Sequence, residues 1–256
     1  MSQPQAPSSL RERARAGEEL VGTFLSLGSP LAAEVCAQAG YDFVLVDLEH
    51  GAGGEAGLVG QLLAARCHRV PVLVRVETAA RIRIGRALDL GADGVMLPRL
   101  ESVREVDEAT RHLRIPPGGD RGVAAYTRAG GFGRGGSALP SVHERLCCMV
   151  QIETPSAVDQ AAAIARVAGV DVLFVGPNDL SHALGVPGRF DAPLYLEACA
   201  TVVDAARAAG IAAGLMVPTA EEGRRARAQG FTVIAVGSDA GMLARAAAAA
   251  VATARS

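Results

Sequence analysis

The chain contains no lysine; all 25 of its basic residues are arginine. Catalysis through an imine on a side-chain amine is therefore excluded, leaving only the α-amine for such chemistry. Cysteine is sparse and unsuited to a thiolate metal site. The five are odd in number, none stands in C-x-x-C spacing, and the neighbours Cys147 and Cys148 face opposite ways in a strand. That usage fits a reduced, cytoplasmic protein. A charge excess is missing too: the formal net charge is −2, so neither nucleic acid nor an anionic membrane is expected as a partner. No apolar run is long enough for a bilayer. The Ala-rich stretch from Ala240 to Ala252 is interrupted by Arg245 and is too short to span. Residues 1–9 are polar and Pro-rich without an apolar signal core, and read as a disordered tail. No dinucleotide or P-loop glycine pattern sits between a strand and a helix.

What is present is alternation. Half of the 256 residues are hydrophobic and 30 are glycine, enough for one large domain, residues 10–256, with tight turns. Apolar, β-branched runs near 21–27, 43–48, 72–76, 94–97, 148–153, 172–176, 212–217 and 232–236 read as strands. Helical patterns lie between them near 30–39, 56–66, 79–90, 102–113, 156–167, 193–209 and 219–229, with a closing helix from 240. Gly40, Gly91, Gly169, Gly210 and Gly230 each fall where a helix must stop before the next strand. Eight β/α units fit a (β/α)8 TIM barrel, with an open doubly wound sheet as the alternative. The apolar surface of the last helix points to packing against another subunit. One connection, Ile115 to Arg145, has no clear period and reads as a lid or a subunit contact.

In a barrel the strand C-termini form the active face. This sorts the acids. Asp42, Asp93 and Asp171 precede strands and read as caps and turn formers. Asp47, Glu49, His50, Arg75, Gln151, Glu153, Asn178 and Asp179 end or follow strands and converge on one mouth. Two carboxylates about 4 Å apart repel by roughly 4 kcal/mol at an effective dielectric of 20. A divalent cation held by Glu153 and Asp179 removes that cost, and an all-oxygen donor set favours a hard ion such as Mg²⁺ or Mn²⁺. The bland alternative is that both acids merely cap the helices that follow them. His50, in the Gly-rich stretch Asp47-Leu48-Glu49-His50-Gly51, is the candidate general base, with His182 second. Arg75 ends a buried strand and therefore needs an anion, either Asp47 or Glu49 or a substrate oxyanion. Gly176-Pro177-Asn178-Asp179 opens a helix whose free N–H groups suit a substrate carboxylate.

Those residues carry a resemblance. Asp47-Leu48-Glu49-His50-Gly51, Pro71-Val72-Leu73-Val74-Arg75, Leu88-Asp89-Leu90-Gly91-Ala92, Pro116-Pro117-Gly118-Gly119-Asp120-Arg121-Gly122, Gln151-Ile152-Glu153-Thr154 and Gly176-Pro177-Asn178-Asp179-Leu180-Ser181, in this order, resemble the HpcH/HpaI family of metal-dependent (class II) pyruvate aldolases. The likeness runs from about Gly22 to Arg245. It implies reversible aldol cleavage of a 4-hydroxy-2-oxo acid to pyruvate and an aldehyde. It further implies a divalent metal (Mg²⁺, Mn²⁺ or Co²⁺) on Glu153 and Asp179, with pyruvate contacted by Gln151 and the backbone at Asn178 and Asp179. His50 is implied as base, Asp89 as the group raising its basicity, Arg75 as stabiliser of developing charge, and Asp47 as part of the water network around the metal. A homohexamer exchanging its last helix between subunits is implied as well. Departures gather around the second substrate: Phe24 replaces a frequent Trp, Ile115 a usual Tyr, and Arg99 is an unexpected charge. Rival readings are a citramalyl-type thioester lyase, an oxaloacetate decarboxylase, and a catalytically silent barrel serving as a scaffold.

Overall fold

Eight parallel strands close on themselves in sequence order: β1 (Leu20–Leu25), β2 (Phe43–Asp47), β3 (Val72–Arg75), β4 (Gly94–Leu97), β5 (Cys147–Ile152), β6 (Val172–Val175), β7 (Ala212–Val217) and β8 (Val233–Ser238). The computed structural model describes residues 8–134 and 143–256. Because β1 pairs with β8 as well as with β2, the sheet has no open edge. The architecture is the single-domain (β/α)8 barrel, and the open doubly wound sheet is ruled out. The helices are α1 (Leu10–Arg15), α2 (Pro30–Gln38), α3 (Glu55–Cys67), α4 (Arg81–Asp89), α5 (Val103–Arg111), α6 (Pro155–Asp159), α7 (Ala161–Ile164), α8 (Pro177–Ala183), α9 (Pro193–Ala209), α10 (Ala220–Ala228) and α11 (Asp239–Arg255).

Local chemistry sets these boundaries. Side chains of Ser29, Ser102, Thr154, Thr219 and Ser238 accept the N–H three residues on and so start α2, α5, α6, α10 and α11. Gly40, Gly91, Gly169, Gly210 and Gly230 all take positive φ, as a helix stop before a strand requires. Alternation along the strands builds two apolar layers. Leu45, Leu73, Met96, Cys147, Met149, Phe174 and Val233 fill the barrel, while Val44, Val46, Val74, Cys148, Val150 and Leu173 pack outward under the helices. Cys147 and Cys148 thus do face opposite ways. The interior matches large to small. A Cβ on Gly22 would lie 2.4 Å from the Phe43 ring, and one on Gly214 would lie 2.4 Å from Phe174.

Three aspartates at the strand N-termini do more than shape turns. Asp42, Asp93 and Asp171 each accept the backbone N–H of the preceding strand, at Val21 (2.9 Å), Val72 (2.9 Å) and Cys148 (3.0 Å). The same aspartates return their own N–H to those residues' carbonyls. They are interstrand clamps on the face away from the site. Helix α1, absent from the sequence reading, closes that face. Ser9 caps it through a capping box, Leu10 and Ala14 enter the inner layer, and Arg11 and Arg15 pair with fully buried Asp171. Of the expected tail, residues 1–7 lie outside the described residues, whereas Ser9 is this cap.

The helix expected over 156–167 is two short ones, because Gln160 leaves helical geometry at φ −95° and ψ 1°. The connection from Ile115 is described to Arg134 and again from His143; residues 135–142 lie outside the description. Its described first part rests on the C-terminal end of α4, where Ala129 N–H donates to the Asp89 carbonyl and Arg128 to that of Leu90. That end faces the strand N-termini, so this part is no lid over the chain's own mouth. Among the described residues no helix is long and apolar enough to cross a membrane.

Candidate active site

Parallel pairing places Asp47 beside Arg75 across β2 and β3, and Gln151 beside Phe174 across β5 and β6. Each is the last or near-last residue of its strand, so their side chains meet at the C-terminal mouth. A cavity of about 230 Å³ opens there, with Asp47, His50, Arg75, Gln151 and Gly176 to Asp179 in its wall and Phe24 among its apolar residues.

Arg75 is the hub of the first half. Its Nε and one terminal nitrogen grip Asp47 at 2.9 and 2.6 Å, and the other nitrogen lies 3.3 Å from Glu49. Its guanidinium carbon sits 5.2 Å from the centroid of Phe24. Both alternatives for this arginine remain compatible, since the ion pairs fix it while its charge still borders the cavity. Burial opposes ionisation of Asp47. The bonds from Arg75 and from the N–H groups of His50 and Glu49 outweigh it and hold the carboxyl below its ordinary value. Glu49 goes the other way: burial raises its pKa against the pull of Arg75 and His50, with Asp47 and Asp179 adding lesser repulsion.

Glu153 anchors the second half and is 5 % exposed. It does not cap the following helix; Thr154 does, through its hydroxyl. Instead its oxygens accept the Arg99 N–H at 2.7 Å and the Gln151 side-chain amide at 2.6 Å. Burial lifts its pKa, and Asp179 and Glu49 push in the same direction. Asp179 lies in the first turn of α8, whose N-cap is Gly176 without a side-chain bond. The side-chain amide oxygen of Gln151 is buried and has no partner among the described residues. Gly176 is needed for this packing: a Cβ there would stand 2.7 Å from the Gln151 nitrogen and 3.0 Å from the Glu153 carboxylate.

These observations test whether a cation fits. The donors are all oxygen, two acids with raised pKa share one patch with Asp179, and an amide oxygen lies buried without a partner. A hard cation offsets the like-charge cost and leaves coordination positions for water and substrate, so the residues fit. Among the described residues no group of three or more His, Cys, Asp and Glu is gathered for a metal; two protein ligands is the arrangement the sequence implies.

The structure separates other named residues. His50 stands at the lip, its side chain 68 % exposed and 3.8 Å from Glu49. His182 points its ring back to the Asn178 carbonyl at 2.8 Å. Asp89 is not in this mouth. It ends α4 at the opposite face and pairs with Arg121 at 2.7 Å. The sequence reading offered Glu49 as a partner for Arg75, and the two lie 3.3 Å apart. It missed Asp239, which accepts the Ser26 and Leu27 N–H groups and so moors the β1 loop beside the mouth.

A closed parallel barrel whose mouth gathers acids, an arginine and a histidine defines a TIM-barrel enzyme. A fold alone does not fix chemistry, so the relatives matter. The family model described as HpcH/HpaI aldolase/citrate lyase matches residues 20–246. A hydroxypyruvate/pyruvate aldolase of Delftia acidovorans is 39% identical over 234 residues, covering 91% of this chain and 87% of its own. A 5-keto-4-deoxy-D-glucarate aldolase of an Enterobacter species is 35% identical, covering 94% of both chains. The crystal structure of an HpcH/HpaI aldolase/citrate lyase family protein from Burkholderia cenocepacia superposes with a TM-score of 0.92 at 37% identity, over 96% of this chain and 99% of that one. The chain belongs to the HpcH/HpaI aldolase/citrate lyase family and is a carbon–carbon lyase.

Proposed function

We propose that the chain catalyses reversible, metal-dependent aldol cleavage of 4-hydroxy-2-oxo acids into pyruvate and an aldehyde. The observation that carries this reading is the acid pair: buried Glu153, bonded by Arg99 and Gln151, lies close enough to Asp179 for their charges to repel, and Asp179 and Gln151 line a cavity sized for a small oxo acid. Glu153 and Asp179 hold the cation, of which Mg²⁺, Mn²⁺ and Co²⁺ are the candidates. Bound there, it supplies Lewis-acid polarisation of the substrate's keto oxygen.

The chain's own groups do the rest. The unpartnered Gln151 oxygen orders water or a protonated substrate group, and the N–H groups of Asn178 and Asp179, first-turn amides without an intrahelical acceptor, take the substrate carboxylate. Gly176 and Pro177 keep that turn close to Glu153. Arg75, held in orientation by Asp47 and Glu49, faces the charge that develops on oxygen. His50 moves the proton, through water, since its ring is solvent-facing. Asp47, held by Arg75 and two amides in the cavity wall, takes part in the water network around the metal. Asp89 meets a His50 only across a subunit contact, because its own lies at the other face.

The same reading makes the protein a cytoplasmic homohexamer that exchanges α11. Its support is that α11 buries only Asp239 and leaves Leu243 and Val251 exposed. Deuterium exchange into the pyruvate methyl group tests the site directly. Exchange is expected with added Mg²⁺ or Mn²⁺, lost in EDTA, and slowed about 10²–10⁴-fold in His50→Ala. Borohydride with pyruvate should leave no adduct on a chain without lysine. Full exchange or turnover in EDTA overturns the reading.

A further inference from the structure

Asp239 is the one buried residue of α11, and its carboxylate serves another part of the chain. One oxygen accepts the Ser26 N–H at 2.8 Å, the Ser26 hydroxyl at 3.0 Å and the Ala240 N–H at 2.7 Å; the other accepts the Leu27 N–H at 3.2 Å. No ion pair to this acid forms among the described residues, so these four donors offset the cost of burying it. Capping does not call for it, because the Ser238 hydroxyl caps α11. The moored segment continues to the candidate base. The Ser26 carbonyl accepts the Ala52 N–H at 2.7 Å, two residues past His50. Beyond that bond the two loops touch backbone to backbone: a Cβ on Gly28 would lie 2.6 Å from the Gly53 Cα, and one on Gly53 would lie 2.7 Å from the Gly28 Cα. His50 depends on such a support. Its exposed side chain makes no hydrogen bond among the described residues, so its backbone sets where the imidazole stands.

We propose that Asp239 is a positioning residue for His50: its carboxylate fixes the β1 loop, and that loop holds the backbone that carries the imidazole. The inference rests on the aldolase reading, in which His50 moves the proton. Both carboxylate oxygens are needed at once, because Ser26 and Leu27 donate their N–H groups to different ones. An amide side chain offers a single acceptor oxygen and leaves one loop N–H without its partner. Asp239 touches no reacting atom. It acts on the rate through the place of the imidazole, and not on the binding of metal or pyruvate, which falls to Glu153, Gln151 and Asp179.

The experiment is a double-mutant cycle read by pyruvate deuterium exchange with added Mn²⁺, in wild type, Asp239→Asn, His50→Ala and the double variant. In Asp239→Asn the exchange kcat is expected to fall about 10- to 100-fold, the range for a displaced catalytic group, while the pyruvate KM and the Mn²⁺ affinity stay near wild type. On the His50→Ala background the same substitution should cost little more, because the group it displaces is already gone. Equal falls in both backgrounds, an unchanged kcat, or a loss of Mn²⁺ affinity that accounts for the fall would leave Asp239 a purely structural acid, and the inference fails. Should Asp239→Asn not fold, Ser26→Ala carries the same cycle, since it removes one donor and leaves both loop amides in place. A smaller fall is expected there, again present with His50 and absent without it; equal falls overturn the inference. Absence of exchange in wild type with added metal refutes the aldolase reading instead.

Discussion

Replacing Glu153 with glutamine separates the two things this acid does. In the ion-free protein the carboxylate is 5 % exposed and faces Asp179 and Glu49, so its ionised form is disfavoured. The sign follows: with a raised folded pKa, Glu153 contributes stability that is complete below the unfolded glutamate value of about 4.3 and is lost as pH rises through the folded one. Glu153→Gln should therefore melt at or above wild type at pH 7 in EDTA, with the difference shrinking toward pH 4. The neutral side chain has partners in place. Its oxygen can accept the Arg99 N–H, and the Gln151 amide can turn its unpartnered oxygen to the new nitrogen. Metal reverses the order. At an ion concentration of 100 Kd, a ligand of the native state adds about 2.7 kcal/mol. For a chain of this size that is about 5–10 °C in Tm. Wild type should gain that shift with Mn²⁺ and the variant little of it, measured by calorimetry in matched buffers. An equal shift in both proteins would remove Glu153 from the metal site.

Two further substitutions probe the frame around that acid. Gly176→Ala puts a methyl group 2.7 Å from the Gln151 nitrogen and 3.0 Å from Glu153. Metal affinity should drop at least tenfold while circular dichroism stays native, and unchanged affinity would show that the cradle tolerates displacement. At the opposite face, Asp171→Ala removes the shared partner of Arg11 and Arg15 and the acceptor for the Cys148 N–H. The arginines are part-exposed, so their pairs count little. The orphaned amide dominates, and a loss of about 2–4 kcal/mol is expected by urea unfolding. Asp171→Asn, which keeps an acceptor, should lose less; equal losses would point to the charges instead.

The sequence by itself determined the eight alternating strands and helices, because that evidence is local. β-Branched runs of strand length and the glycines that stop five of the helices act within a few residues of chain. All eight strands fall where those patterns place them, with ends shifted by one or two residues. Strand ends also told which acids face the mouth, since parallel strands present all their C-termini to one side. Long-range partners were not legible in this way. That Arg75 takes both Asp47 and Glu49 at once, that Arg99 lends its amide to Glu153, and that Thr154 relieves Glu153 of capping depend on strand register and loop approach. Helix α1 escaped notice because six residues carry too little periodicity; only the barrel's open lower end gives Leu10 and Ala14 something to bury against. Asp89 marks the clearest division. Its sequence context places it in a family motif, yet the direction of α4 carries it to the face opposite His50, and the closed topology of the barrel, which no local pattern encodes, decides that separation.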